Sequence, residues 1–507
     1  MLHGKRTHPQ QEAPVPANDI AWAVDDLNAR AEGIRLRRNY FDGKHRTTIP
    51  QGKTLSRELR ELLDDLNDNL CDDVVNEPVN RLSILTWTGK AQGIGTKAIE
   101  SWEANRGDAR SRVVHRNAWM AGDGFVIVQT DTEGTPRWYT QRPECMAVRY
   151  SAEYPDEIEV AAKVWREGKG WRLNLYYGPT PDFGMKPHLE RYVTKGTNND
   201  GAVPGAKSFQ PVEATETPDG VLTEPVEVLD GDRIPVFHFP ADEIGGYGSP
   251  AISNTVIGLQ DVLNKSIVDM VVAMEAAALP DRWATGIQAE YDPVTGEERP
   301  IQKSGRERLL RTGSKDAAFG QFQQATMDPF LKTQAEYRLE IARKGYLPAY
   351  LVSSDAAASA PSGLSLLIAE GRLVKRVKTA QSDWGLVWRE VQAFMLRLAG
   401  MAVQANDLEE AWAPAETRDE KALLEGLTMK VELGLPKRQA LIEAGYDEDD
   451  VDDWLEEAQA KADAIAGGRV SAPAGSPLLP AVPNAPGGSA AVPAPPVQPA
   501  GAAVPTP

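Results

Sequence analysis

The chain has 507 residues, enough for more than one packed unit and a sizeable core. Hydrophobic residues at 41% and charged residues at 25% fit a globular protein, and a net charge of −18 excludes tight nonspecific clamping of nucleic acid, which needs excess Lys and Arg. Cys71 and Cys145 are the only cysteines, so a disulfide framework and a cysteine metal cluster are excluded and a reducing, cytosolic site of synthesis is expected.

Residues 1–20 are polar and Pro-rich, predict a disordered N-terminus, and lack the apolar run of a signal peptide. From Ala21 to about Trp87 the pattern is helical. Leu55, Leu59, Leu62, Leu63 and Leu66 recur at helix spacing, as do Val74, Val75, Val79, Leu82 and Leu85, with a break or kink expected at Pro78. The run Asn39 to His45 reads as a turn with aromatic anchors. From Phe125 to Tyr192 the period shifts toward two, in short runs at 125–128, 137–139, 147–150, 158–165 and 171–177. The turns Asp131–Gly134 and Glu167–Gly170 separate some of them, so an antiparallel β subdomain is expected. Lys195 to Glu227 reads as a long exposed loop, and Ile234 to Phe239 as one more strand.

Ser249 and Pro250 suit the N-cap and first position of a long helix striped by Ile252, Val256, Leu259, Leu263, Ile267, Met270 and Met274. Val262 to Leu279 is too polar to span a bilayer. A mixed segment follows, with a turn at Asp292–Gly296 and the basic residues Arg299, Lys303, Arg306, Arg308, Arg311 and Lys315. Asp328-Pro329 starts a second helix with stripe Leu331, Ala335, Leu339, Ala342 and Tyr346. A loop of small residues, Ser353 to Ala360, closes on Pro361-Ser362-Gly363. A third stripe then runs through Leu364, Leu367, Ile368, Val374, Val377, Trp384, Trp388, Val391, Met395 and Leu398. Residues 416–466 read as short acidic helices, and the Pro/Ala-rich stretch from Gly467 as a disordered tail. The fold class is α+β, mainly helical.

Chemical motifs are scarce. Gly52-Lys53-Thr54 lacks the leading glycine of a P-loop, since that position is Thr47. Gly93-Ile94-Gly95 fits the loose dinucleotide fingerprint, but without repeated βαβ units it reads better as a turn opening the helix with Ile99 and Trp102. Outside the N-terminus no His pairs with a His or Cys at metal-ligand spacing, and His115 reads as a helix-surface residue in a charged run. The acidic run 447–453 has Asp452 where a calcium loop needs Gly. No catalytic, cofactor or metal residue is assigned. The small-residue loop, with Asp355 its only ionisable group, reads on composition first as a solvated connector and otherwise as a device for touching something that moves past.

The order of these parts resembles the portal proteins of tailed bacteriophages with long, noncontractile tails, over roughly residues 30–465. The resemblance rests on Asn39-Tyr40-Phe41-Asp42-Gly43, Gly122-Asp123-Gly124-Phe125-Val126, Leu175-Tyr176, Tyr247-Gly248-Ser249-Pro250 and Pro361-Ser362-Gly363-Leu364. It implies a wing at 21–248, stem helices at 249–278 and 328–348, and a clip at 279–327. A tunnel loop at 349–362, a long helix at 363–405 and a helical crown at 406–466 complete it. The implied protein is a twelve-subunit, non-enzymatic ring at one capsid vertex of the virion, assembled in the host cytoplasm, with no membrane. Its channel passes double-stranded DNA in packaging and ejection, past tunnel-loop residues Ser353, Ser354, Asp355, Ser359 and Ser362. The clip residues Arg299 to Lys315 would meet DNA, the terminase large subunit or a head-completion protein, and the capsid or scaffold would surround the ring. Leu259, Leu263, Ile267 and Met270 would pack the stem, with neighbouring subunits covering much of the stripe. Two other readings are a nucleotide-binding enzyme built on Gly93 and Gly95, and a minor capsid or scaffold protein that forms no ring.

Overall fold

The computed structural model describes residues 17–45, 68–194, 202–216, 222–243, 245–278, 282–286, 293–296, 318–321, 326–352, 363–416, 420–443 and 448–466. It divides into two units, Met1–Arg418 and Asp419–Pro507. About half of the described residues are helical and fewer lie in strands, a mixed α+β fold.

The first unit begins with α1 (Ala17–Phe41), α2 (Cys71–Asn80), β1 (Ile84–Gly89), α3 (Ile94–Ala104) and α4 (Gly107–Ala121). A hairpin of β2 (Asp123–Thr130) and β3 (Pro136–Gln141) leads to β4 (Met146–Tyr150), β5 (Ile158–Glu167), β6 (Gly170–Thr180) and β7 (Lys186–Thr194). The short strands β8 (Phe209–Pro211), β9 (Thr215–Glu216), β10 (Leu222–Thr223) and β11 (Val226–Val228) precede β12 (Val236–Pro240). Then come α5 (Asn254–Ala278), the paired strands β13 (Arg282–Thr285) and β14 (Ala318–Gln321), α6 (Asp328–Gly345), α7 (Gly363–Leu398) and β15 (Leu408–Trp412). The second unit holds α8 (Glu420–Glu432), α9 (Lys437–Glu443) and α10 (Glu448–Ala466), with a two-pronged ion pair from Arg438 to Asp452 at 2.7 and 2.9 Å.

Strand alternation builds the β-rich part in layers. An antiparallel sheet of order β11-β7-β6-β5-β4, with β8 also on β7, has two buried faces. One face sends Ala147, Ala162, Val164, Leu173 and Leu175 against Ile20, Ala23, Val24 and Leu27 of α1. Those α1 residues fall at helical spacing, so one stripe covers the face. The neighbouring positions Val148, Ala161, Tyr176 and Leu189 point the other way, onto Phe125, Ile127 and Val236 of a second sheet, β12-β2-β3. Across that sheet, Val126, Val128, Phe237 and Phe239 enter the main core with α4 and α7. Both faces of β2 are covered, which is why Phe125 to Val128 is an unbroken apolar run. The turns work as expected: Asp131 Oδ1 accepts from the Glu133 and Thr135 amides at 3.0 and 2.8 Å, and Gly134 takes φ 79°.

The main core is aromatic. Trp102 lies 5.6, 5.8 and 5.1 Å from the rings of Trp87, Trp138 and Trp388, and the fully buried α7 stripe Val377, Trp384, Trp388 and Val391 closes it. α3 sits tightly on β1: a side chain at Gly95 would come within 3.0 Å of the Trp87 carbonyl, and one at Gly89 within 2.8 Å of the Gly95 amide. β1 pairs antiparallel with β15, Ile84 opposite Trp412 and Gly89 opposite Leu408.

Several expectations are corrected. Pro78 lies inside α2 without ending it. Leu82 and Leu85 belong to no helix; Leu85 sits at the irregular step of β1 and is 66% exposed. The stretch 195–227 is not one exposed loop, because β8 and β11 pair with β7 and Phe209 is buried in the α1 layer. α5 starts at Asn254, where Ser253 Oγ accepts from the Val256 amide at 3.3 Å, so Ser253 caps it rather than Ser249. On α6 the buried face is Gln334, Ile341, Ala342 and Gly345, while Leu331 and Tyr346 of the expected stripe are exposed. Leu367 and Ile368 are also exposed, because the first turns of α7 extend beyond the core. Leu55 to Leu66 lie outside the described residues.

Candidate functional site

Two of the sequence motifs meet at one joint. Gly122 has φ 99°, and a side chain on it would come within 2.4 Å of the Gly248 carbonyl. A side chain on Gly248 would lie 2.2 Å from both the Gly122 carbonyl and the Ala241 amide. Glycine at both positions lets the turn before β2 and the turn before α5 touch backbone to backbone. Asp123 locks the joint. Its Oδ1 accepts from the Gly248 amide and from His238 Nε2, both at 2.9 Å, and His238 Nδ1 in turn accepts from the Tyr150 hydroxyl at 2.8 Å. Tyr247 bonds along the open edge of β4, taking the Val148 amide at 3.0 Å, while Arg30 lies 3.8 Å over its ring. Burial raises the Tyr247 hydroxyl above its usual range.

From this joint α5 runs out against α6. Gln260, fully buried, accepts the Leu70 amide at 3.0 Å and donates to Asn264 Oδ1 at 3.2 Å and to the Asp68 carbonyl. Asn264 donates to His45 at 2.7 Å, Tyr40 donates to Asp261 at 2.5 Å, and Arg338 of α6 holds Asp68 at 2.7 Å. The Asn39–His45 turn therefore ties α1 to α5. On the open side of the helix pair a cavity of about 320 Å³ is lined by Val262, Lys265, Ser266, Asp269, Phe330 and Tyr337.

Past α6 the chain passes Tyr350, leaves the described residues at 353–362, and returns as α7. Both roots are fastened to one buried carboxylate. Glu370 accepts from the Tyr350 hydroxyl at 2.5 Å and from both Arg81 terminal nitrogens at 3.1 and 3.0 Å. That hydrogen bonding holds Arg81 above its ordinary value, and burial pushes Tyr350 up to about 12.

Of the sequence-assigned site residues, Leu259, Leu263, Ile267 and Met270 lie on α5; Leu263 and Ile267 are buried by the chain's own core, and Leu259 is partly buried against it. The side of α5 left open carries Val262 and, further along, Met274, 43% and 51% exposed. Ser353, Ser354, Asp355, Ser359 and Ser362 lie outside the described residues, as do Arg299, Lys303, Arg306, Arg308, Arg311 and Lys315. Sequence reasoning missed Asp123, His238, Arg81 and Glu370. Glu370 had a signal: it lies on the same helix face as Leu373 and Val377, and a charge on a buried face demands a partner.

His115 is not on a helix surface. It is fully buried, stacked 5.2 Å from Trp384, and its Nε2 accepts from Trp388 Nε1 at 2.8 Å. Burial lowers its pKa to about 3, so it is a neutral packing group. Gly93, at φ 84°, precedes α3 as the expected turn, and among the described residues β1 pairs only with the antiparallel β15, with no dinucleotide-type parallel sheet around the motif. Among the described residues no cluster of three acidic, His or Cys side chains could hold a metal, and no helix is long and apolar enough to cross a membrane.

A family model described as phage portal protein, SPP1 Gp6-like, matches residues 64–467. The chain belongs to this portal family. Among its relatives, the portal protein of Mycobacterium phage D29 is 26% identical, with 94% of this chain and 95% of that protein covered. The portal protein of Mycobacterium phage L5 is 22% identical, covering 94% of each. Among solved structures, a chain from the virion of a native gene transfer agent particle covers 82% of this chain and 99% of its own, at 15% identity and TM-score 0.39. A chain from the neck of that particle, computed with C12 symmetry, covers 77% and 94% at 14% identity and TM-score 0.41. Portal family membership makes the chain a structural, non-enzymatic virion component, a ring-forming head–tail connector at a capsid vertex, which sets aside the Gly93/Gly95 enzyme.

Proposed function

We propose that twelve copies form one ring whose channel passes double-stranded DNA inward during packaging and outward during ejection. In this reading residues 21–248 are the wing, α5 and α6 the stem, 279–327 the clip, 349–362 the tunnel loop, 363–405 the long helix and 406–466 the crown. The observation that carries it is the portal family match, which spans the α5, α6 and α7 run and all but the first element. The Glu370 clasp supports the tunnel-loop reading, because it fastens the residues before and after the small-residue segment to one carboxylate. The clip, with Arg299, Lys303, Arg306, Arg308, Arg311 and Lys315, docks the terminase large subunit and later a head-completion protein, and the wing and crown meet capsid or scaffold.

Electron microscopy of the purified full chain, alone and co-expressed with its phage's scaffold, tests this. Closed rings with a central hole and twelvefold symmetry are expected. Monomers or dimers at every concentration in both preparations would overturn the annular reading and favour a minor capsid or scaffold protein.

A further inference from the structure

The C-terminal end of α6 and the third turn of α7 meet in a basic cluster that the folded core does not neutralise. Tyr346, a non-glycine residue at φ 64°, caps α6 with its ring partly exposed. The guanidinium carbons of Arg372 and Arg376 lie 4.6 and 4.9 Å from the centre of that ring, and Arg372 reaches the Arg343 carbonyl at 3.5 Å. Lys344 follows Arg343, and Lys375 adjoins Arg376 on α7. Asp242 pairs with Arg376 at 3.2 Å and Glu340 with Arg343 at 2.5 Å, whereas Lys344, Arg372 and Lys375 have no acidic partner among the described residues. The nearby Glu370 is turned inward, 1% exposed, and engaged by Arg81 and Tyr350.

Basic residues in the last turn of a helix ordinarily complement its dipole, and Arg343 and Lys344 do so. That does not account for Arg372 and Lys375, which belong to another helix. Of the two guanidiniums over one ring, Asp242 offsets only Arg376, and Arg372 shares this corner with the exposed Lys344, one residue from Arg343, and Lys375, one turn further along α7, so like charges gather there unless an anion joins them. In a chain of net charge −18, a local excess of cations stands out as a site for an anion. A channel that clamped DNA along its whole length would stall it, but a few cations at one level would centre a duplex without holding it.

We propose that Lys344, Arg372 and Lys375 contact backbone phosphates of double-stranded DNA at the roots of segment 353–362. The inference rests on the DNA-channel reading and names the residues that would carry it. The cluster reads phosphate charge, because Lys and Arg side chains on phosphates position a duplex without specifying its sequence.

The test is fluorescence anisotropy of full-chain protein with a labelled 30-base-pair duplex across a salt series, with particle mass recorded in parallel. Arg372→Gln with Lys375→Gln should bind about tenfold more weakly, with the slope of log K against log salt shallower by about 2. Lys344→Gln, an exposed change, should shift both in the same direction by less. Lys169→Gln with Lys207→Gln, on exposed turns of the β layers, should match wild type. Unchanged affinity and slope in the cluster variants, or a wild-type protein that binds no duplex at low salt, overturns the proposal. Rings lost in the cluster variants, with binding per chain unchanged, would also overturn it and make the cluster a contact between subunits. Wild-type rings in either case leave the portal reading standing, and wild-type monomers count against the annular reading alone.

Discussion

His115 shows how far one side chain's surroundings decide its role. Its neighbours Arg112 and Arg116 suggest a charged surface run, yet the ring lies between Trp384 and Trp388, where burial disfavours the imidazolium. With the folded pKa near 3 and the unfolded one near 6.5, the unfolded chain binds the extra proton between those values. Stability from this residue is therefore whole above pH 6.5 and is lost as pH falls toward 3. Between pH 7 and pH 5 the loss is about 2 kcal/mol. Urea unfolding at the two pH values should show a smaller difference in His115→Phe than in wild type, even if the variant is less stable at pH 7. Gly122 and Gly248 are the opposite case. Sequence motifs marked them, but only the structure shows that each is small because the other is there.

At the scale of elements, the strands were legible and the sides of the helices were not. Alternation is a local signal, sharpened by the glycine turns at Gly134 and Gly168, so β2 through β6 fall where the pattern puts them. β8 and β11 were missed because their pairing to β7 is made across a segment with no periodicity of its own. For α5 the stripe was right in place and incomplete in meaning. Leu263 is buried against the chain's own Ile341 and Val74 core, whereas Val262 one residue earlier borders the open cavity. Leu263→Asp should cost about 5 kcal/mol or more and unfold the chain, since it leaves a cavity and an unpaired buried charge. Val262→Asp should melt within a few degrees of wild type and yet fail to form rings. Circular dichroism melting with microscopy separates the two; intact rings from Val262→Asp would show that this side of α5 faces solvent in the assembly. Segment 353–362 was legible only as composition, and the fastening of the residues on either side of it was invisible because Arg81 and Glu370 are far apart in sequence and share no motif.

For the whole molecule, the first compact unit runs as far as Arg418. Residues 408–412, ahead of the acidic helical region, are β15, lying along β1 and covering the tryptophan core beside α3. A chain ending at Glu416 should keep the melting temperature of the first unit within about 2 °C, whereas one ending at Ala405 should lose 5 °C or more. Scanning calorimetry of both truncations decides this, and equal melting would mean that β15 is dispensable. That pairing also sets an order of events during synthesis. Ile84 leaves the ribosome long before Trp412, so β1 and the Trp87 side of the core wait through most of translation without their final cover. A contact of such sequence separation forms late and slowly, and surface left open meanwhile invites association with the wrong chain. A ring subunit made in many copies at once thus spends its most adhesive interval before its last strand exists, and weaker induction, which leaves fewer unfinished chains present together, should raise the yield of correctly closed subunits.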